Sequence, residues 1–124
     1  MILSVRDLEV TFRVGPWFRR QSILGVAGVS FDVAACDTFA LVGESGSGKT
    51  TLARAINGLQ AISAGQVMFD GQRIDQLSAD AMKPLRQQMA MMFQDPVGSL
   101  SPRMKVGDLV VEPLRIHKIQ ANLK

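Results

Sequence analysis

A single cysteine, Cys36, stands in the 124 residues. No disulfide can form within the chain, which suits a reducing cytoplasm. A lone cysteine of this kind reads as a small buried apolar residue rather than a reactive thiol. No apolar run approaches the ~20 residues of a membrane-spanning helix. The opening "MILSVRDLEV" meets charge too early for a signal peptide. Charge of one sign is also scarce. Lys+Arg 14 against Asp+Glu 11 leave a formal +3, too little and too scattered for a nucleic-acid patch. Arg13 with Arg19 and Arg20 is the densest basic group. It reads as a solvated loop, with an anionic partner or a membrane surface as the alternative. There is no internal repeat and no low-complexity segment. At 47% hydrophobic and 20% charged residues, the composition is that of a globular chain of one-domain size and excludes disorder.

What is present is mixed α/β patterning. In "DLEVTFR" the residues Leu8, Val10 and Phe12 alternate with polar ones, predicting a half-buried strand. "VSFDV" repeats the pattern with Val29, Phe31 and Val33 inward, so the two strands form an antiparallel pair with one wet face. Gly15-Pro16 and Gly28 punctuate the stretch between them, which reads as a long loop. Phe39 to Val42 is a continuous apolar run, as expected of a strand covered on both faces. A helix follows with Leu52, Ile56 and Leu59 on one stripe, stopped at Asn57-Gly58. Asp70-Gly71 within "GQVMFDGQRI" predicts a hairpin. Ser78 or Pro84 opens a short helix. "QMAMMF" reads as a second buried strand, with Met89, Met91 and Met92 packed in the core. Val106, Leu109, Val110 and Leu114 recur at helical spacing, with Pro113 expected to kink or end that helix.

The chemistry lies in "GESGSGKT", which matches G-x-x-x-x-G-K-[ST]. Gly43, Gly46 and Gly48 let the backbone curl so that successive N–H groups face one point. A helix beginning near Lys49 aims its positive dipole end at the same point. That is a nest for phosphate. Lys49 would reach the β- and γ-phosphates, and the Thr50 hydroxyl would ligate Mg²⁺. Thr51 is placed on the α-phosphate side. A Gly/Ser linker that happens to contain Lys-Thr is the competing reading. The apolar run before the loop and the striped helix after it favour triphosphate binding.

"FQDPVGSLSPRMKVGDLVVEPLRIH", from Phe93 to His117, resembles the Q-loop region of ABC transporter ATP-binding subunits. The likeness is to the subfamily serving dipeptide, oligopeptide and nickel importers. "LVGESGSGKTTLARAI" and "LSADAMKPLRQQM" are similar to the same subfamily, so the likeness covers essentially the whole chain. It implies an α/β fold of the P-loop NTPase, ABC ATPase type. Residues 1–38 would be an antiparallel β portion and 39–93 the P-loop core. Residues 94–124 would hold the Q-loop and the start of a helical subdomain. It implies that Gly43 to Thr51 form the Walker A loop, with Ser45 near the γ-phosphate and Ser47 within the cradle. Gln94 would sense Mg²⁺ or the attacking water. Phe12 would stack on adenine, with a plain core role as its competitor. His117 is not the family's switch histidine and reads as a solvated helix residue. The cofactors implied are ATP and Mg²⁺. The implied partners are transmembrane permease subunits and a second ABC ATPase subunit, at the cytoplasmic face of the inner membrane. No nucleic acid is implied.

Two departures from the family pattern matter. Cys36 stands where relatives carry glycine, so a turn with φ > 0 there would be strained. The chain also holds no L-S-G-G-Q signature, no Walker B Asp-Glu and no switch histidine. It therefore reads as the N-terminal portion of an importer ATPase, expected to be inactive alone and prone to expose apolar surface. Two alternatives are a nucleotide-binding module or gene remnant without turnover, and a P-loop kinase or soluble ABC protein. The kinase lacks an evident arginine-bearing lid.

Overall fold

The alternation from Leu8 to Phe12 belongs to one long strand, β1 (Leu3–Val14), paired antiparallel with β2 (Gln21–Val33). The structure is a computed structural model and describes residues 1–119. Strand β1 also pairs antiparallel with β3 (Ala64–Phe69), which turns through Asp70-Gly71 into β4 (Gln72–Arg73). The sheet order is β2-β1-β3-β4. Helix α1 (Lys49–Ile56) lies against β1 and β2. Met1–Ser78 forms one compact unit. The second unit begins at Ala79 and carries α2 (Ala79–Met82), a 3-10 turn at Leu85–Gln87, and α3 (Val106–Ile116). No helix among the described residues is long and apolar enough to cross a membrane.

The core of the first unit is Val5, Leu8, Val10, Val26, Val67 and Phe69 of the sheet, with Leu52 and Ala55 of α1. Full burial of such side chains contributes about 1.5–3 kcal/mol each. Val5 shares the buried set with Leu8 although the spacing is odd. A bulge at Asp7 (φ 45) resets the alternation, and the Ser30 hydroxyl accepts the Asp7 N–H at 2.8 Å. Gly65 (φ +88) sits opposite, where a Cβ would lie 2.4 Å from the Asp7 carbonyl oxygen.

The hairpin at Asp70-Gly71 forms as expected, with both residues at positive φ. The stop of α1 at Asn57-Gly58 also forms. Gly58 (φ +64) donates to the Ala55 carbonyl and Leu59 to the Arg54 carbonyl, at 3.1 and 2.8 Å. That is the paired bonding of a Schellman end.

Five expectations need correction. The loop after β1 is only residues 15–20, because Gly25 and Gly28 are accommodated inside β2 as irregularities rather than breaks. Phe39 to Val42 is not a strand, and Phe39, Leu41 and Val42 are exposed. A strand needs neighbours on its edges, and no described segment pairs with this one. Phe39 is held instead by a stacked ring contact with Phe31, centroids 4.7 Å apart. Residues 88–93 likewise form no strand, and Met92 is exposed rather than packed. Cys36 is exposed, not buried, and its φ of 62 confirms the strained turn. Helix α3 runs through Pro113 to Ile116, so of the two expected effects of that proline, ending the helix does not occur.

Past Met68, the free edge of β3 is closed by a side chain. The Asp75 carboxylate accepts the Val67 N–H at 2.9 Å and pairs with the Arg73 guanidinium at 3.0 Å. Burial alone would raise the Asp75 carboxyl, but the Arg73 and Val67 hydrogen bonds outweigh it and hold the group below its ordinary range. A carboxylate so depressed stabilises the fold above its unfolded pKa, and that contribution is lost as pH falls through the folded value. Asp75→Ala is therefore expected to cost about 1–3 kcal/mol at neutral pH. In urea titrations the gap to the parent chain should close below about pH 4. A gap unchanged at acid pH would contradict the assignment.

Candidate functional site

The glycine loop ends where α1 begins, with Lys49 as its first helical residue and Gly48 (φ 93) as its N-cap. Gly46 (φ +80) and Gly48 supply the left-handed conformations that bend the chain. The curl is closed by Ser47 donating its N–H to the Glu44 carbonyl at 3.2 Å. The Lys49 ammonium folds back over the loop. It donates to the Gly43 carbonyl at 2.7 Å, to the Glu44 carbonyl and to Ser47 Oγ at 3.1 Å. A Cβ on Gly43 would lie 2.7 Å from Ser47 Oγ, so a side chain there would require the Ser47 hydroxyl to turn away. Helix α1 has no side-chain cap and no acidic residue in its first turn. Its positive end is therefore left to be met by an anion. Ser45 and Thr50 are exposed and Thr51 half-buried beside it.

One residue that sequence reasoning passed over, Gly25, ties this loop to the sheet. Gly25 is skipped in the β1–β2 register, between Val26 opposite Val10 and Leu24 opposite Thr11. On one side the Phe12 ring covers it, so that a Cβ on Gly25 would lie 2.6 Å from Phe12 Cε2. On the other its carbonyl oxygen meets Gly48, where a Cβ would lie 2.3 Å away, with Val26 Cγ2 at 3.5 Å. Phe12 and the glycine loop thus rest on the same bulge. Phe12 is partly exposed there, unlike its neighbours Leu8 and Val10. The available signal was a glycine inside an alternating apolar run, which marks a bulge or a close backbone approach.

Gly43, Ser47, Gly48, Lys49 and Phe12 are thus brought together on the first unit. Gln94 lies on the second, exposed, at the start of a tight turn. There Asp95 Oδ1 accepts the Gly98 N–H at 2.8 Å, an Asx-type turn. A Cβ on Gly98 would clash with the Asp95 carboxylate. His117 caps the C-terminus of α3, half-exposed, as a helix-end residue. No group of three or more His, Cys, Asp or Glu among the described residues could hold a metal by itself.

A glycine turn stabilised by its own lysine, feeding an uncapped helix, defines a P-loop protein. A model of the ABC transporter family matches residues 26–124, and the chain belongs to that family. It is 47% identical over 119 residues to a glutathione import ATP-binding protein GsiA of Salmonella paratyphi A, covering 94% of this chain. The GsiA of Escherichia coli K12 is 44% identical over the same length. The chain spans 19% of the length of these curated relatives. Among solved structures, the dimeric ATP-binding cassette MJ0796 bound to ADP and Pi superposes with a TM-score of 0.83 at 23% identity. That match covers 97% of this chain and 50% of the cassette. At that identity the likeness establishes fold, and the fold is that of an ABC ATPase cassette.

Proposed function

We propose that this chain is the nucleotide-binding part of an importer ATPase subunit, binding ATP through residues 43–51. The observation that carries the reading is the Lys49 ammonium clasped over a glycine turn at an open helix N-terminus. Lys49 is bound to two carbonyls and a hydroxyl of its own loop. Triphosphate oxygens replace those partners, Lys49 turns outward, and the loop N–H groups receive the remaining oxygens. Gly46 and Gly48 keep that backbone free of side chains, and Ser45 and Ser47 add hydroxyl donors. Thr51 serves the α-phosphate. The exposed Thr50 hydroxyl fits a hard cation as a ligand, and Gln94, on the second unit, carries an amide oxygen of the same donor class. Mg²⁺, when bound, would neutralise charge on the phosphate oxygens. Phe12, partly exposed on the Gly25 bulge, offers its ring to adenine.

The relatives' glutathione import supports a peptide-type solute. It also supports two kinds of partner, permease subunits and a second ATPase subunit, at the cytoplasmic face of the membrane. We assign hydrolysis to the whole subunit and nucleotide binding to this chain, whose 124 residues carry no Walker B or signature motif. Lys49→Ala is expected to weaken ATP binding about 10–100-fold, the loss of one charge-assisted contact of about 1.5–3 kcal/mol. Calorimetric titration with ATP and Mg²⁺ checks this, and unchanged affinity would remove the reading.

A further inference from the structure

Past Thr11, whose N–H is bound by Ser63 Oγ, β1 pairs only with β2. The two strands run on as a free ribbon, Phe12 opposite Ile23 and Val14 opposite Gln21. Paired residues point to the same side, so Phe12, Val14 and Ile23 share one face. Val14 and Ile23 are exposed on it. The ribbon ends in a built turn. Arg19 donates its N–H to the Pro16 carbonyl at 2.8 Å. Gly15 (φ +109) approaches the Arg19 carbonyl so closely that a Cβ would lie 2.6 Å away. The turn presents Trp17 and Phe18 at 82% and 73% exposure, their rings edge to face with centroids 5.8 Å apart. Arg13, Arg19 and Arg20 flank them, all exposed, and none joins an ion pair among the described residues. From Arg13 to Arg20 there is no acidic residue.

We propose that this ribbon tip docks on an anionic lipid surface. Tryptophan with phenylalanine suits the headgroup boundary, where a ring can bury its apolar body and keep its polar edge wet. Unpaired arginines beside them meet the negative lipid headgroups. Scale favours lipid over a protein partner. A specific protein interface takes about 800 Å² and 20–30 residues from each side. A narrow turn with two aromatic rings falls short of that, whereas a bilayer needs only insertion and charge. The proposal is independent of nucleotide binding, and the test requires no ATP.

Trp17 is the only tryptophan, so its emission reports the tip and no other surface. With vesicles of phosphatidylglycerol and phosphatidylcholine in equal parts, the emission should shift to the blue and escape quenching by aqueous acrylamide. Neither should occur with phosphatidylcholine alone. Raising the salt should reverse the shift. Each arginine near the surface is worth about fivefold in binding. Arg19→Glu with Arg20→Glu should therefore lower vesicle affinity by more than about 20-fold. Its far-UV circular dichroism should stay unchanged, because both side chains are exposed. Phe18→Ser should shrink the blue shift while leaving Trp17 in place. Vesicle binding without a Trp17 shift would place the contact elsewhere and overturn the proposal. Equal binding to neutral vesicles, or by the charge-reversed chain, would do the same. A shift produced by detergent-solubilised permease subunits but not by vesicles would also overturn it, and would assign the tip to a protein partner.

Discussion

Gly48→Ala is expected to lower ATP affinity a hundredfold or more. Gly48 has a φ of +93, and a Cβ there would lie 2.3 Å from the Gly25 carbonyl oxygen. The neighbour is backbone of β2, fixed between the paired residues Leu24 and Val26, and cannot swing aside as a side chain would. The loop must deform instead, and with it the phosphate cradle proposed for residues 43–51. Losing two charge-assisted phosphate bonds costs about 3–6 kcal/mol, which is more than a hundredfold in affinity. Gly46→Ala is the internal control. Gly46 also has positive φ (+80) but nothing within 4 Å of its would-be Cβ. It should show only the conformational cost of about 1–2 kcal/mol, roughly tenfold. Titration of both variants with ATP separates steric contact from backbone preference. Equal losses would mean that the Gly25 contact is irrelevant to the cradle.

Gly65→Ala is expected to destabilise the first unit by about 4–5 kcal/mol, against the 5–15 kcal/mol that a folded domain typically has. Its φ is +88, and a Cβ would lie 2.4 and 2.5 Å from the Asp7 and Arg6 carbonyl oxygens. Those atoms belong to β1, the strand that supplies Val5, Leu8 and Val10 to the core. Any accommodation separates β1 from β3 at the bulge. Thermal melts should show a fall of at least about 15 °C or the loss of a cooperative transition. Gly71→Ala provides the comparison. Gly71 has a similar φ (+77) with open space around it, and asparagine there should be milder still because it tolerates that conformation. If Gly65→Ala and Gly71→Ala melted alike, the packing of Gly65 on β1 would not matter to stability.

These two contrasts show what a sequence discloses. All four glycines look alike as letters, and only the neighbours distinguish them. Local features were legible. "GESGSGKT", Asp70-Gly71 and Asn57-Gly58 each encode a turn within a few residues, and each forms where expected. The helix after the loop was legible because Leu52 and its first residue are local too, but Leu59, expected on its apolar stripe, lies past the helix end and is exposed. Phe39–Val42 was misread because a buried strand is made by partners far along a chain, and apolar letters are the same with or without them. The stretch 21–28 reads as loop in the sequence because Gly25 and Gly28 resemble punctuation. In the fold they sit at irregularities that let β2 follow β1. The methionines of 88–93 suggested a core through composition alone, with no periodicity to say which face is covered. The Phe12–Gly25–Gly48 junction was not legible, since it joins three segments that only the sheet brings together.

The clasp of Lys49 over its own loop sets a baseline for every ligand. Its ammonium has three oxygen partners within the loop, tethered a few residues away and therefore present at a high effective concentration. The loop thus carries an internal competitor. An incoming anion gains only the difference between its contacts and the ones Lys49 relinquishes. A ligand with one or two oxygens merely trades partner for partner. One with several phosphate groups engages the lysine and the open helix end together, and gains from both. In the proposed reading, discrimination in favour of triphosphates over simple anions follows from the contacts of Lys49 with its own loop, before any base or metal is recognised.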